Sequence, residues 1–185
     1  MKTEKEKMID GEGYLAGDAV LVKDRRKAKN LLHRLNVIEY RITKKAREII
    51  QELIPNAGTN LYIEPPFFCD YGYNVVCGND VYFNVNCIVL DSAKVTIGSN
   101  VFFAPNVQIY TANHPLEAEL RKTLENASPI SIGNDCWIGG NAVILPGITI
   151  GNGCVIGAGS VVTKNIPDNS LAVGNPAKVI RKLNI

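Results

Sequence analysis

The chain has little of what would place it in a common functional class. Its five cysteines, at 69, 77, 87, 136 and 154, are odd in number and never in CxxC spacing, which excludes a disulfide framework or a zinc ribbon. It has two histidines, His33 and His114, and one tryptophan. Basic and acidic residues nearly cancel, 20 Lys and Arg against 18 Asp and Glu, so the basic patch of a nucleic-acid protein is missing. No apolar run approaches the ~20 residues of a membrane helix, and the charged stretch Met1 to Tyr14 has no signal-peptide core. P-loop, dinucleotide and GxSxG fingerprints are absent. With 46% hydrophobic residues and 21% charged, a globular cytoplasmic protein with reduced core cysteines is expected.

What the chain does have is a period. Ile132, Ile138, Ile144, Ile150, Ile156 and Val162 fall six residues apart, and Gly133, Gly139, Gly151 and Gly157 follow four of them. Four residues after each aliphatic comes Cys136, Ala142, Ile148, Cys154 or Ser160. A helix repeats at 3.6 residues and a half-solvated strand at two, so neither fits. Short flat strands joined by tight turns do, with the aliphatic and its small companion inside and glycine supplying the corner angles. Such coils stack at about 4.8 Å and bury their cores only against each other. The step also holds at Cys77, Phe83 and Val89, and again at Ile97, Phe103 and Ile109. From Ile109 to Ile132 the gap is 23, so a polar loop of about 110–129 is inserted, and it carries His114.

Before the repeats the period is helical. Leu31, Leu35, Ile38, Ile42, Ile49 and Leu53 predict one helix from about Ala28 to Leu53, ended by Pro55 and Gly58, whose stripe covers the open end or side of the coils. The run Lys23, Arg25, Arg26, Lys27, Lys29 reads as a solvated face, and His33 as a surface or packing residue. The organisation expected is a helical segment over 1–57 and a coil domain over 58–185, capped by Val179 to Ile185 as a short strand or turn.

Asn113-His114-Pro115, Leu120-Arg121-Lys122, Trp137-Ile138-Gly139, Gly157 to Lys164 and the closing Gly174 to Arg181 carry a resemblance. In this order they resemble the hexapeptide-repeat sugar O-acetyltransferases of the maltose and galactoside type. The resemblance implies a mainly β fold, a left-handed parallel β-helix with an N-terminal helical segment and a protruding loop. It implies acetyl-CoA as co-substrate, no metal, no nucleic-acid or membrane partner, a sugar acceptor, and a homotrimer with sites between subunits. The γ-class carbonic anhydrases share the coil but need three zinc histidines.

On its residues alone, His114 fits an idle loop side chain as well as a base. The resemblance makes it the general base, for which a neutral imidazole suits. By the same resemblance the Gly140 N–H faces the oxyanion, and Asp18, Asp70, Asn84, Ser92 and Trp137 meet the acceptor. Ala158, Thr163, Lys164, Lys178 and Arg181 hold coenzyme A, the last two as cations for its phosphates. Relatives often have Ser at position 140, Ser at 70 in the galactoside enzyme, and a carboxylate at 92. Those departures leave open which sugar and which hydroxyl are modified. They also leave a non-sugar acceptor, an antibiotic or amino acid, or a non-catalytic β-helix scaffold, as alternatives.

Overall fold

In the computed structural model of the chain, which describes residues 1–38 and 43–184, the repeats form a triangular parallel β-helix of short strands. Face one carries Asn56–Ala57, Val75–Cys77, Val95–Ile97, Ile130–Ile132 and Thr149–Ile150. Face two carries Tyr62–Ile63, Tyr82–Phe83, Phe102–Phe103, Trp137–Ile138, Val155–Ile156 and Ser170–Val173, closed by the antiparallel Lys178–Lys182. Face three carries Phe67–Cys69, Cys87–Leu90, Gln108–Tyr110, Val143–Ile144 and Val161–Val162. The register stacks the repeat aliphatics on one another: Ile97 on Ile132 on Ile150, Phe103 on Ile138 on Ile156, Ile109 on Ile144 on Val162. All are buried, as are Cys136, Ala142, Ile148, Cys154 and Ser160. The five cysteines are free and buried. The early coils use aromatics instead, with Phe83 stacked on Phe103 at 4.4 Å and Phe67 edge-on at 5.3 Å.

Gly147, Gly153 and Gly159 supply left-handed corner angles as expected, with φ of 79°, 62° and 69°, but the glycines that follow the aliphatics work differently. Left-handed corners fall largely to Asn and Asp, such as Asn86, Asn106 and Asn141, with φ of 57° to 62°. Gly133 has no such angle. A Cβ there would lie 2.7 Å from the Asn152 nitrogen of the next coil, so it is glycine because the coils touch.

The single helix expected from Ala28 to Leu53 is two. After α1 (Glu4–Ile9), α2 runs over Ala19–Asn36 and α3 over Lys44–Leu53. Ile42 of the apolar stripe lies outside the described residues. At the end of α2 the Asn36 side chain ties the helix to the coil, accepting from the Phe67 N–H at 3.0 Å and donating to its carbonyl at 2.9 Å. Thr43 then caps α3 by accepting from the Ala46 N–H. Leu31, Leu35, Ile49 and Leu53 cover the open end of the first coil, packing in one core with Ile63, Phe67 and Cys69. The chain ahead of α2 is built in as well: Thr3 and Glu6 make a capping box that starts α1. Met8, Tyr14 and Leu21 form a second, smaller core with Tyr71, Ala93 and Ala127 at the side of the coil. Among the described residues no helix is long and apolar enough to cross a membrane.

Candidate active site

The six-residue step is kept between faces one and two and between faces two and three. It breaks only at the edge from face three to face one, where the stacked residues Cys69 to Cys77, Val89 to Ile97 and Ile109 to Ile132 are 8, 8 and 23 apart. The surplus residues pile up at that edge and enclose a cavity of about 300 Å³. Asp70, Tyr71, Ser92, His114 and Glu125 line it, joined by Ala16 and Arg25 of the N-terminal segment.

His114 follows a small antiparallel ladder in which Ala112 pairs Ala127 and Asn113 pairs Asn126. Buried Thr111 pins the start of the excursion, donating to the Leu90 carbonyl at 2.6 Å and accepting from the Ala93 N–H at 2.9 Å. Beneath it the Asp91 carboxylate, fully buried, accepts from the N–H groups of Asp70, Tyr71 and Asn74 at 3.1, 2.8 and 3.3 Å. Burial pushes the Asp91 carboxyl up to about 7, although its backbone donors favour the charged form. Burial also raises the half-buried Asp70, against the pull of Arg25.

Arg25 corrects the expectation of a solvated basic face. Its Nη1 donates to the Tyr71 hydroxyl at 2.7 Å and its Nη2 to the Ala16 carbonyl at 2.6 Å. The guanidinium is thus held on the cavity wall rather than in solvent. Lys29, four residues on, stays exposed.

The sequence-predicted residues fall into separate groups. Asp70, Ser92 and His114 share the cavity. Thr163 and Lys164 are exposed on the same edge, two coils further on. Asn84, Gly140 and Ala158 sit on the other edge of face three, where it meets face two. From Asn106 to Thr111 that face spans five residue steps, roughly 16 Å of extended chain. Trp137 stands outward on face two, 55% exposed, in a row with Phe102 and Val155. Among the described residues no backbone acceptor takes the Gly140 N–H. The Asn84 side chain accepts from the Val85 N–H, and the Asp18 side chain caps α2 through the N–H groups of Val20 and Leu21, off the cavity wall. Lys178 and Arg181 lie on an exposed strand, where a three-residue spacing would put them on opposite faces. A bulge opposite Leu171 and Ala172 takes up Ile180, so the two cations share a face.

Sequence reasoning missed Arg25 and Glu125 as wall residues, Tyr14 packed behind Glu125, and Asp91 as the floor. The signal was available: the two steps of eight mark the same edge as the step of 23. A larger cavity of about 660 Å³ lies between α2, α3 and the first coil, lined by Leu35, Ile50, Ile54 and Leu61 with Arg47 and Glu64, and none of the predicted site residues reaches it.

Two family profiles match the chain: a maltose acetyltransferase hexapeptide capping motif over residues 7–58, and a hexapeptide repeat of succinyl-transferase over 129–164. A maltose O-acetyltransferase from Clostridium difficile 630 is 49% identical and superposes with a TM-score of 0.97, covering 100% of this chain and 99% of that one. A galactoside acetyltransferase solved in complex with coenzyme A is 39% identical, with a TM-score of 0.95 over 100% of this chain and 92% of that one. Nodulation protein L of Rhizobium meliloti (strain 1021) is 46% identical over 179 residues, 96% of this chain and 98% of that protein. With its coil, its capping helices and its His114 loop matched end to end, the chain belongs to the hexapeptide-repeat acetyltransferases of the maltose and galactoside O-acetyltransferase type.

Proposed function

We propose that the protein transfers the acetyl group of acetyl-CoA directly to a hydroxyl of a sugar, with His114 as general base and no acyl-enzyme. The observation that carries this is the cavity, where one imidazole meets carboxylates and a hydroxyl suited to a polyol: Asp70, Glu125 and Ser92. His114 takes the proton as the acceptor oxygen attacks the acetyl carbonyl, a task worth roughly 10²–10⁴-fold in rate. The carbonyl oxygen gains charge and wants a preorganised donor. The Gly140 N–H, engaged by no backbone acceptor among the described residues, supplies it. Exposed Ala158 leaves room for a pantetheine arm, and the same-face Lys178 and Arg181 receive phosphates.

These groups occupy two edges of one prism, and an imidazole does not reach across roughly 16 Å of strand. Two copies placed side by side bring the histidine edge of one against the glycine edge of the next. A heterologous contact of this kind closes into a ring, and a homotrimer suits a three-sided coil. The exposed Leu116 and Leu120 of the loop favour such a neighbour.

The test incubates the protein and acetyl-CoA with galactosides, maltose, glucose, serine and chloramphenicol, and follows free thiol. Thiol release with the sugars alone, lost by ~10²-fold or more in His114→Ala, is the expected result. Release only with serine or chloramphenicol would move the acceptor to another class. No release and no acetyl-CoA binding by calorimetry would leave a scaffold.

A further inference from the structure

The N-terminal segment is built into the wall of the site. Tyr14 and Glu125 form an antiparallel bridge, with N–H to carbonyl bonds of 3.0 and 3.1 Å in the two directions. The segment therefore runs beside the return arm of the His114 hairpin, joined to it by this one bridge. Its close approach is visible at Gly11, where a Cβ would stand 3.3 Å from the Ala127 carbonyl oxygen. Tyr14 is 1% exposed, and its ring packs with Met8, Leu21, Tyr71 and Ala127. Its hydroxyl donates to Glu125 Oε2 at 2.9 Å. Burial pushes the phenol well above its ordinary value, with the Glu125 charge adding to it, so it stays a donor at any working pH.

Glu125 and His114 face the same cavity. The other charged groups there are Asp70 and Arg25, and the guanidinium is already committed to Tyr71 and Ala16. We propose that Tyr14 and Glu125 are a positioning pair for His114, the phenol fixing the carboxylate so that it faces the imidazolium formed during transfer. This rests on His114 being the proton acceptor.

The step balances without any further reactant. The acceptor O–H bond breaks and its proton bonds the imidazole. The acceptor oxygen bonds the acetyl carbon, the C–S bond breaks, and the departing thiolate takes the proton from the imidazolium. Positive charge sits on the ring only between those events. A carboxylate anchored opposite it stabilises that interval and leaves the resting state nearly untouched. The carboxylate needs the anchor because Glu125 stands on a half-buried loop arm, where an untethered side chain would turn to solvent.

Steady-state kinetics against pH test this on the full-length protein. Glu125→Gln is expected to lower kcat by about tenfold, to leave KM for acetyl-CoA within about twofold, and to move the acid limb of kcat/KM to lower pH. Glu125→Asp restores the charge and with it part of the limb. Tyr14→Phe keeps the ring in its core and should lose about threefold in kcat. The double variant should be no slower than Glu125→Gln alone, because the phenol acts only through the carboxylate. An unmoved acid limb in Glu125→Gln, or losses that multiply in the double variant, would overturn the pair. His114→Ala separates the two readings: if it retains activity the base assignment fails, whereas an inactive His114→Ala beside a silent Glu125→Gln removes the pairing alone.

Discussion

If each site is shared, two dead proteins make a live one. His114→Ala disables the edge where face three meets face one. Gly140→Pro disables the other edge by deleting the N–H assigned to the oxyanion, which no backbone acceptor engages among the described residues. Each variant alone is expected at about 1% of normal turnover or less, since a general base and an oxyanion donor are each worth roughly 10²-fold or more. In a refolded equimolar mixture, a good site needs an intact histidine edge on one subunit and an intact glycine edge on its neighbour. Each condition holds for half the subunits, so about one site in four is whole, whatever the size of the ring. The mixture should therefore recover about a quarter of wild-type activity per chain. The assay follows thiol release at saturating acetyl-CoA with the best acceptor of the panel, after co-refolding and again after mixing the folded variants without unfolding. Recovery should need subunit exchange, so the second mixture should stay low at first. A co-refolded sample that exchanges subunits yet remains near 1% would refute shared sites. It would mean that each protomer completes its own chemistry across a face too wide for the fold described here.

Other outcomes follow from particular groups. Gly133→Ala puts a methyl 2.7 Å from backbone atoms of the next coil, and should destabilise the protein by about 1–3 kcal/mol in urea unfolding; a change under about 0.5 kcal/mol would mean the coils part easily there. Lys178→Ala with Arg181→Ala should raise KM for acetyl-CoA with little change in kcat, and an unchanged KM would move the phosphate site elsewhere. The Asp91 carboxyl titrates at about 7 when folded against an ordinary 3.8, so between those values the folded chain keeps a proton that the unfolded chain has released. Stability should then fall as pH rises from about 4 to about 7, by an amount on the order of 4 kcal/mol relative to Asp91→Asn. Parallel unfolding curves for the two proteins across that range would show the carboxylate to be charged throughout.

How far the sequence could be read depended on how local each constraint is. An aliphatic every sixth residue is imposed by the coil interior at every turn, so Ile132 through Val162 announced their burial and their register. The contact that ties the end of α2 to the coil was hidden because its partner lies 31 residues away, in the backbone of the buried Phe67. Arg25 was hidden for the same reason: a helical surface cation and one clamped by Tyr71 have the same local spacing, and a partner 46 residues off decides between them. The cavity belongs to a third kind. It is written in the sequence as a failure of the period, and the failure has a physical meaning. A coil whose three edges are all tight has no room for a concavity, because each added residue must leave the stack. Chain can be added at one edge, repeatedly and in register, only if those surplus residues pack on one another. Asp91 shows how: its buried carboxylate takes the backbone donors of the surplus turn above it, Asp70 and Tyr71. Replacing it should therefore disturb the cavity wall before it disturbs the coil. Asp91→Asn keeps one acceptor oxygen for those two N–H groups and turns an amide donor toward the Asn74 N–H. KM for the acceptor should rise by about tenfold while the cooperative unfolding of the repeats persists. Loss of the whole fold in that variant would make the edge a foundation of the coil rather than an addition to it.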